Sequence, residues 1–332
     1  MSPKVSIIIV NYNGFEETIG CLKSLAKVIY PNFDIIIIDN ASTNDSFEKI
    51  RDFLKNFTTE NLQLTTKLLK SDLNLGFAGG CNLGIREAQT LKSDYFLLLN
   101  PDTQVEPNFL SRLIEFAIKP ESHKAIKQEL EKGRQLGFIG PRIFYEDKKT
   151  VYSNGGLVRC DLLQATLKDH GRIKEEIYET EPFLTDYVTG TALLVSKETV
   201  KDIGLMSEDY FMYYEDSDWA MRAKKKKYFC AIMPESIIYH KGYHSIDYLS
   251  FDYIYYLVRN GYFFAWRNGN VFQKIFAILF SGYKFLKQPI KWIIFPQKRN
   301  WIKPIILATW DFWRGKTGKI SNYPAYRQAG ND

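Results

Sequence analysis

Several short polar clusters stand where apolar runs stop. Asn11-Tyr12-Asn13 follows Val5–Val10, Asp39-Asn40-Ala41-Ser42 follows Ile35–Ile38, and Asn100-Pro101-Asp102 follows Tyr95–Leu99. Asn, Asp and Ser end strands in any protein. Three such clusters after successive β-rich runs would nevertheless line one edge of a sheet, the edge at which α/β proteins hold their ligands. Asp39 has the chemistry to accept hydrogen bonds from a pyrimidine N–H and a ribose hydroxyl. Asn74-Leu-Gly76-Phe-Ala-Gly79-Gly-Cys-Asn82 is a glycine loop opening a helix, where backbone approaches a ligand closely and N–H groups point outward. It has neither the G-x-G-x-x-G spacing nor a Gly-Lys-Ser/Thr, so dinucleotide and phosphate-loop sites are poorly supported. Farther on, Glu215, Asp216 and Asp218 cluster after Tyr210-Phe-Met-Tyr-Tyr214, and His240 follows the apolar run Ile237-Ile-Tyr. Acidic residues also favour helix N-termini for electrostatic reasons alone.

The elements that must position these residues read as alternating β and α. Helical spacing from Gly14 to Lys27 puts Phe15, Ile19, Leu22 and Leu25 on one face, and Asn13 with Glu16 resembles a capping pair. A second helix opens at Asp45 with Glu48. Strands are expected at Leu62–Leu69 and Tyr95–Leu99, a helix around Cys81–Thr90, and another begun by Pro107. This order predicts a mostly parallel sheet flanked by helices. Pro120–Gln135 reads as a charged, solvated insertion. Short strands and glycine turns fill 137–245, and the pattern from Tyr248 is helical, aromatic and basic.

The 332 residues, 45% hydrophobic and 25% charged, fit a globular catalytic domain with an appendage and exclude disordered or collagen-like chains. Cys21, Cys81, Cys160 and Cys230 lack the close spacing of zinc or redox motifs and read as free thiols. Met1–Lys4 run directly into a strand, without a leader, which predicts a cytoplasmic protein. The net charge of +6 belongs to the tail, where residues 271–332 hold 11 Lys and Arg against 2 Asp and Glu. Lys224–Lys227 suits a helix C-terminus better than a nucleic-acid site, and no recognised nucleic-acid module is present.

Taken together, Val-Asn11-Tyr-Asn, Asp39-Asn-Ala-Ser, Asn74-x-Gly-x-x-x-Gly-x-Asn82 and Leu-Asn100-Pro-Asp resemble family 2 of the GT-A-fold glycosyltransferases, in its rhamnosyltransferase-like branch. The likeness continues through Gly190-Thr191, Tyr214-Glu-Asp-Ser-Asp-Trp219, His240-Lys-Gly-Tyr-His-Ser245 and Arg259-Asn260, covering about Lys4 to Gly318. The resemblance implies a catalytic domain over 1–247: a nucleotide-sugar half (1–118), the insertion (119–136) and an acceptor half (137–247). A helical extension over 248–332 follows. It implies an inverting transfer from a dTDP- or UDP-sugar, rhamnose being the leading candidate, to a glycan or lipid-linked glycan in cell-surface polysaccharide synthesis.

By the same resemblance Asn11, Tyr12, Asn13, Asp39, Asn40, Ser42, Asn74, Gly76, Gly79, Asn82 and Asn100 bind the nucleotide sugar. Asp102, with His240, would hold Mg²⁺ or Mn²⁺ on the diphosphate, although Asn100 at the first motif position leaves fewer carboxylates for the ion. Asp216 would be the general base, with Glu215 and Asp218 orienting it or the acceptor, and the aromatic run before them suits a sugar. A pyrophosphorylase would need a basic loop after the first strand, which Asn11–Gly14 does not supply. A non-catalytic glycan- or membrane-binding relative would have little reason to keep all four of Asp39, Asp102, Asp216 and His240.

The tail predicts peripheral docking on the inner face of the cell membrane. Gln273, Lys274, Lys284 and Lys287 fall within roughly 140° at about 100° per residue, opposite Ile275, Leu279, Tyr283 and Leu286, the pattern of an interfacial helix. Pro289 is expected to break that helix short of a span. Trp292, Trp301, Trp310 and Trp313 mingle with Lys291, Lys298, Arg299 and Lys303, a mixture suited to headgroups. Packing on the catalytic domain or in a homodimer is the competing use of that face.

Overall fold

The computed structural model describes residues 2–57, 65–159, 164–242, 250–295 and 299–320. Down the first third, β1 (Val5–Asn11), α1 (Phe15–Leu25), β2 (Phe33–Asp39), α2 (Ser46–Leu54), β3 (Thr66–Lys70), α3 (Gly76–Thr90) and β4 (Tyr95–Leu99) alternate. The middle holds β5 (Thr103–Val105), α4 (Phe109–Ile118), α5 (Lys124–Glu131), β6 (Gln135–Tyr145), β7 (Val151–Ser153), β8 (Gly156–Arg159), β9 (Gln164–Leu167) and β10 (Phe183–Thr185). Then come β11 (Ala192–Ser196), α6 (Lys197–Ile203), α7 (Glu215–Lys225), β12 (Tyr228–His240), and the helices α8 (Phe251–Asn268), α9 (Val271–Ile294) and α10 (Arg299–Trp313).

The main sheet runs β10-β12-β6-β11-β4-β1-β2-β3. Its β4-β1-β2-β3 half is parallel, β11 is antiparallel to both neighbours, and β12 lies parallel to β6. Successive strand residues point to opposite faces, so the isoleucine runs serve two cores. Ile7, Ile9, Ile35 and Ile37 meet α1 and α4 on one side, while Ile8, Ile36 and Ile38 meet α3 and α7 on the other. Helix α3 lies very close to β1. A Cβ at Gly80 would stand 2.7 Å from Val10 Cγ1.

Register places the polar clusters. Asn11 pairs with Asp39 at the carboxyl ends of β1 and β2. Antiparallel pairing of β12 with β5 sets His240 opposite Thr103, next to Asp102. Residues Met233 to Ile237 of β12 break register, as a proline inside a strand demands.

Several local expectations are corrected. Neither Asn13 nor Asp45 caps a helix through its side chain, and Asn13 Oδ1 instead accepts the Thr43 N–H at 2.8 Å. Helix α3 starts at Gly76 rather than near Cys81, and α4 at Phe109 rather than Pro107. Pro289 does not end α9, which continues to Ile294. Leu62 of the expected third strand, Cys160, and Tyr243–Ser245 of the histidine motif lie outside the described residues. Cys21, Cys81 and Cys230 are buried free thiols.

Candidate active site

At the ends of β1 and β2 the polar residues bond mainly to one another. Asp39 Oδ2 accepts from Asn11 Nδ2 (2.8 Å) and Ser42 Oγ (2.6 Å), and Oδ1 accepts the Ser42 N–H (3.1 Å). These bonds shape the loop in which Ala41 takes φ 62°, a left-handed conformation a non-glycine residue adopts only when held there. Asp39 is fully buried, whereas Tyr12 stands half exposed at the strand end.

The asparagines of the glycine loop face inward. Asn40 Nδ2 donates to Asn74 Oδ1 (3.2 Å) and the Gly76 carbonyl (3.0 Å), and Asn40 Oδ1 accepts the Leu75 N–H (3.0 Å). Asn82 Nδ2 donates to the Met206 carbonyl (3.0 Å) and Glu208 Oε1 (2.9 Å), and its Oδ1 accepts the Met206 N–H (3.1 Å). Backbone groups expected to face a ligand are occupied too, since Gly76 N–H bonds Asn74 Oδ1 (2.9 Å) and Phe77 N–H bonds the Phe211 carbonyl (2.7 Å). Gly76, at φ +71°, leaves no room for a Cβ against Phe211, and Gly79 is buried on α3 against Leu75. In this geometry Asn40 and Asn74 tie the loop to the end of β2, while Asn82 and the Phe77 N–H staple it to residues 206–211.

Beyond the sheet edge lies a cavity of about 450 Å³ that Asn100, Asp102, His240, Glu215 and Asp216 help line. Asp102 Oδ1 is 3.0 Å from His240 Nε2, and the Asn100 amide stands 3.5 Å from that nitrogen. Burial pushes the Asp102 carboxyl up, but the hydrogen bond and charge of His240 outweigh it and hold the group below the usual range. The Tyr152 ring abuts the imidazole at 4.3 Å between centroids, and His240 Nδ1 has no hydrogen-bond partner among the described residues. Two ligands on neighbouring corners of an octahedral ion with bonds of about 2.1 Å stand about 3.0 Å apart. The Asp102–His240 spacing therefore fits a hard divalent cation that draws its other ligands from a diphosphate. Among the described residues no third His, Cys, Asp or Glu completes an all-protein cage.

Opposite this pair, the cavity wall is a strained loop. Phe211, Tyr213 and Tyr214 have φ of 65°, 66° and 74°, costly for bulky residues unless the surroundings impose it. Asn260 imposes it: its Nδ2 donates to the carbonyls of Tyr210 (2.8 Å), Met212 (2.7 Å) and Tyr213 (3.1 Å). Arg259, buried between the Tyr255 and Tyr256 rings, donates to the Tyr210 carbonyl as well (3.3 Å). Arg259-Asn260 is visible in the sequence as a motif, but only the fold reveals what it grips.

The loop delivers the start of α7. Asp216 accepts the Gly190 N–H (2.9 Å) and both the N–H (2.6 Å) and the hydroxyl (3.1 Å) of Ser217, and burial raises its pKa. Glu215 is deeper, and one of its oxygens lacks a hydrogen-bond partner among the described residues. Burial first, then the charge of Asp216, push its carboxyl from the ordinary 4.5 to about 8. Near neutrality the pair thus holds one proton. Three donors on Asp216 favour its ionised form, leaving the proton on Glu215. Asp218 lies on the far side of α7, where Tyr210 Oη (3.0 Å), Arg222 Nε (3.1 Å) and Asn268 Nδ2 (2.8 Å) donate to it. Its role there is to join α7 to α8. Tyr152, Tyr187 and Thr189 complete the cavity without any local sequence signal.

Residues 6–155 match the family model "Glycosyl transferase family 2". The chain is 24% identical to the low-salt glycan biosynthesis hexosyltransferase Agl10 of Haloferax volcanii, over 96% of this chain and 94% of that protein. It is 22% identical to the dTDP-rhamnosyl transferase RfbF of Shigella flexneri, over 96% and 98%. In structure it resembles the mannosyltransferase PcManGT from Pyrobaculum calidifontis, solved with GDP-Man and Mn²⁺ (TM-score 0.55, 14% identity, 95% of this chain and 88% of that one). It also resembles residues 1–349 of S. aureus TarS, solved with UDP-GlcNAc (TM-score 0.51, 17% identity, 92% and 81%).

Proposed function

We propose that this chain, a family 2 glycosyltransferase of the GT-A fold, moves a hexose from a dTDP- or UDP-sugar to a hydroxyl of a glycan or lipid-linked glycan, with inversion. The observation that carries the reading is the pairing, across one cavity, of a cation-sized Asp102–His240 couple with an ionisable Asp216. When bound between Asp102 and His240, a divalent cation would neutralise charge growing on the leaving diphosphate, and the imidazole favours Mn²⁺ over Mg²⁺.

Asp216 takes the proton of the acceptor hydroxyl as its oxygen bonds the anomeric carbon and the bond from that carbon to the diphosphate breaks. Glu215, protonated, spares Asp216 a second negative neighbour. Tyr213, held by Asn260, and Tyr214 beside it offer aromatic faces with polar tips to the sugars. Rhamnose is the leading donor sugar, on the strength of the full-length likeness to a dTDP-rhamnosyl transferase.

The test is a screen of dTDP-, UDP- and GDP-sugars for release of nucleoside diphosphate, with Mn²⁺ or Mg²⁺ and with or without a lipid-linked acceptor. dTDP-rhamnose with acceptor should give the fastest release. Binding of nucleotide sugars with no release from any of them would sink the proposal.

A further inference from the structure

Helix α9 presents its surfaces the wrong way round for a helix in water. A surface helix buries its apolar stripe and exposes its polar one. Here the buried positions are Ala277, Ser281 and Gln288, and the Ser281 hydroxyl accepts the indole N–H of Trp313 on α10 (2.9 Å). The outward stripe is Phe272, Ile275, Leu279, Leu286, Ile290 and Ile293, exposed by 83, 52, 67, 73, 59 and 76%. Spaced by three, four or seven residues, they cover one side of all 24 residues, a length of about 36 Å. Scattered apolar residues on a surface need no explanation, but a continuous stripe of this length marks a contact.

The polar arc foreseen in the sequence is therefore not the water-facing side of the helix. Lys274 and Lys287, at the two ends of that arc, flank the apolar side, Lys284 lies behind it close to the buried face, and each sits over an aromatic ring: Lys274 over Trp266 (5.8 Å), Lys284 over Phe280 (5.0 Å) and Lys287 over Tyr283 (4.3 Å). Long basic side chains beside an apolar strip reach towards headgroups while their stems stay in apolar surroundings.

We propose that α9 lies flat in one leaflet of a membrane, its outward stripe at the boundary of headgroups and acyl chains and its lysines on anionic headgroups. Charge decides the occupant. From residue 271 onward basic residues outnumber acidic ones 11 to 2, which complements an anionic lipid surface, whereas a second copy laid on the stripe would bring two lysine rims together. No helix among the described residues is long and apolar enough to cross a membrane. Helix α8 carries Tyr253 and Leu257 of the cavity wall and packs against α9, so docking holds the cavity near the bilayer. The usefulness of that placement rests on the lipid-linked acceptor proposed above; the docking itself does not.

Flotation of the full chain with phosphatidylcholine vesicles containing about 30% phosphatidylglycerol tests this. The protein should rise with these vesicles at low salt and less at high salt. Glu substitutions at Leu279 and Leu286, both outward and free of core contacts, should cut the floated fraction at least tenfold. Far-UV circular dichroism and donor binding should stay unchanged. A second variant, Lys287→Glu with Lys291→Glu, should weaken flotation on anionic vesicles specifically. Failure of the wild-type chain to rise overturns the proposal, as does a wild-type dimer that the Leu279→Glu/Leu286→Glu variant turns into a monomer. Because flotation and donor binding need no turnover, a wrong donor or acceptor leaves the result intact.

Discussion

Replacing Glu215 by Gln tests the electrostatics of the site through stability. The carboxyl is only 5% exposed, and burial together with Asp216 lifts it from 4.5 to about 8. Between those two values the folded chain keeps a proton that the unfolded chain has released. The folded state then binds more protons, so stability falls as pH rises across this window. The contribution is complete below about pH 4.5 and gone once pH passes about 8. At about 1.4 kcal/mol per pH unit, its ceiling is on the order of 5 kcal/mol. Gln has the shape of the protonated side chain and no proton to lose. Urea unfolding of both proteins at about pH 5.5, 7 and 8.5, followed by tryptophan fluorescence, gives the comparison. The variant should gain on the wild type by at least about 1.4 kcal/mol between the lowest and highest pH. It should keep most of its turnover at neutral pH, since Asp216 is the ionised partner. If the two stability profiles run parallel to within about 0.5 kcal/mol, Glu215 is ionised in the folded protein and the one-proton account is wrong.

Asp216→Asn should lower turnover by about 10²-fold or more with donor affinity nearly unchanged, measured by steady-state kinetics and isothermal titration. In the wild type kcat/KM should fall as pH drops through the Asp216 pKa, with a midpoint above the usual aspartate value because burial raises it. Chelation by EDTA, or Asp102→Ala, should abolish transfer, and full activity in EDTA would remove the cation from the mechanism. Asn260→Ala takes the amide donor from the Met212 and Tyr213 carbonyls, while the Tyr210 carbonyl keeps Arg259, so stability should fall by about 1–3 kcal/mol. Its kcat should drop more than its KM rises, and an unchanged kcat would make the clamp merely structural.

What the sequence revealed about the fold follows from local patterning. The isoleucine runs of β1 and β2 and the run Tyr95–Leu99 are strands because they are apolar, branched or aromatic, and stopped by Asn or Asp. Their parallel arrangement followed from the intervening helices. The Asp102–His240 pair spans 138 residues and depends on β5 pairing with β12, which no local pattern encodes; only the family resemblance brought the two together. Asp218 is different, because a signal was present. Residues 216 and 218 lie about 200° apart on a helix, so both could not face one cavity once α7 began at Glu215. The inward turn of Asn40 and Asn82 was hidden because an asparagine that binds a ligand and one that braces a loop have the same sequence signature.

The aromatic run Tyr210–Tyr214 joins the two functions argued for this chain. Tyr210 and Phe211 are buried against α8, α9 and α10, while Met212, Tyr213 and Tyr214 line the cavity. Arg259 ties the same loop to the far end of the chain. It donates to the Gly318 carbonyl (2.8 Å) and to Tyr255 Oη (3.2 Å), whose hydroxyl in turn donates to Asp311 (2.9 Å). Deleting everything beyond residue 270 would remove Asp311 and Gly318 along with α9, loosening the grip of Arg259 and exposing the packed faces of Tyr210 and Phe211. Such a deletion strikes the loop of the cavity wall and the stripe proposed to face lipid together. Charges placed on the outward side of α9 touch only the second, since Leu279 and Leu286 face away from every core. The helices after Asn268 thus have two separable faces, an inner one packed on the strained loop of the cavity wall and an outer one that carries the proposed membrane contact.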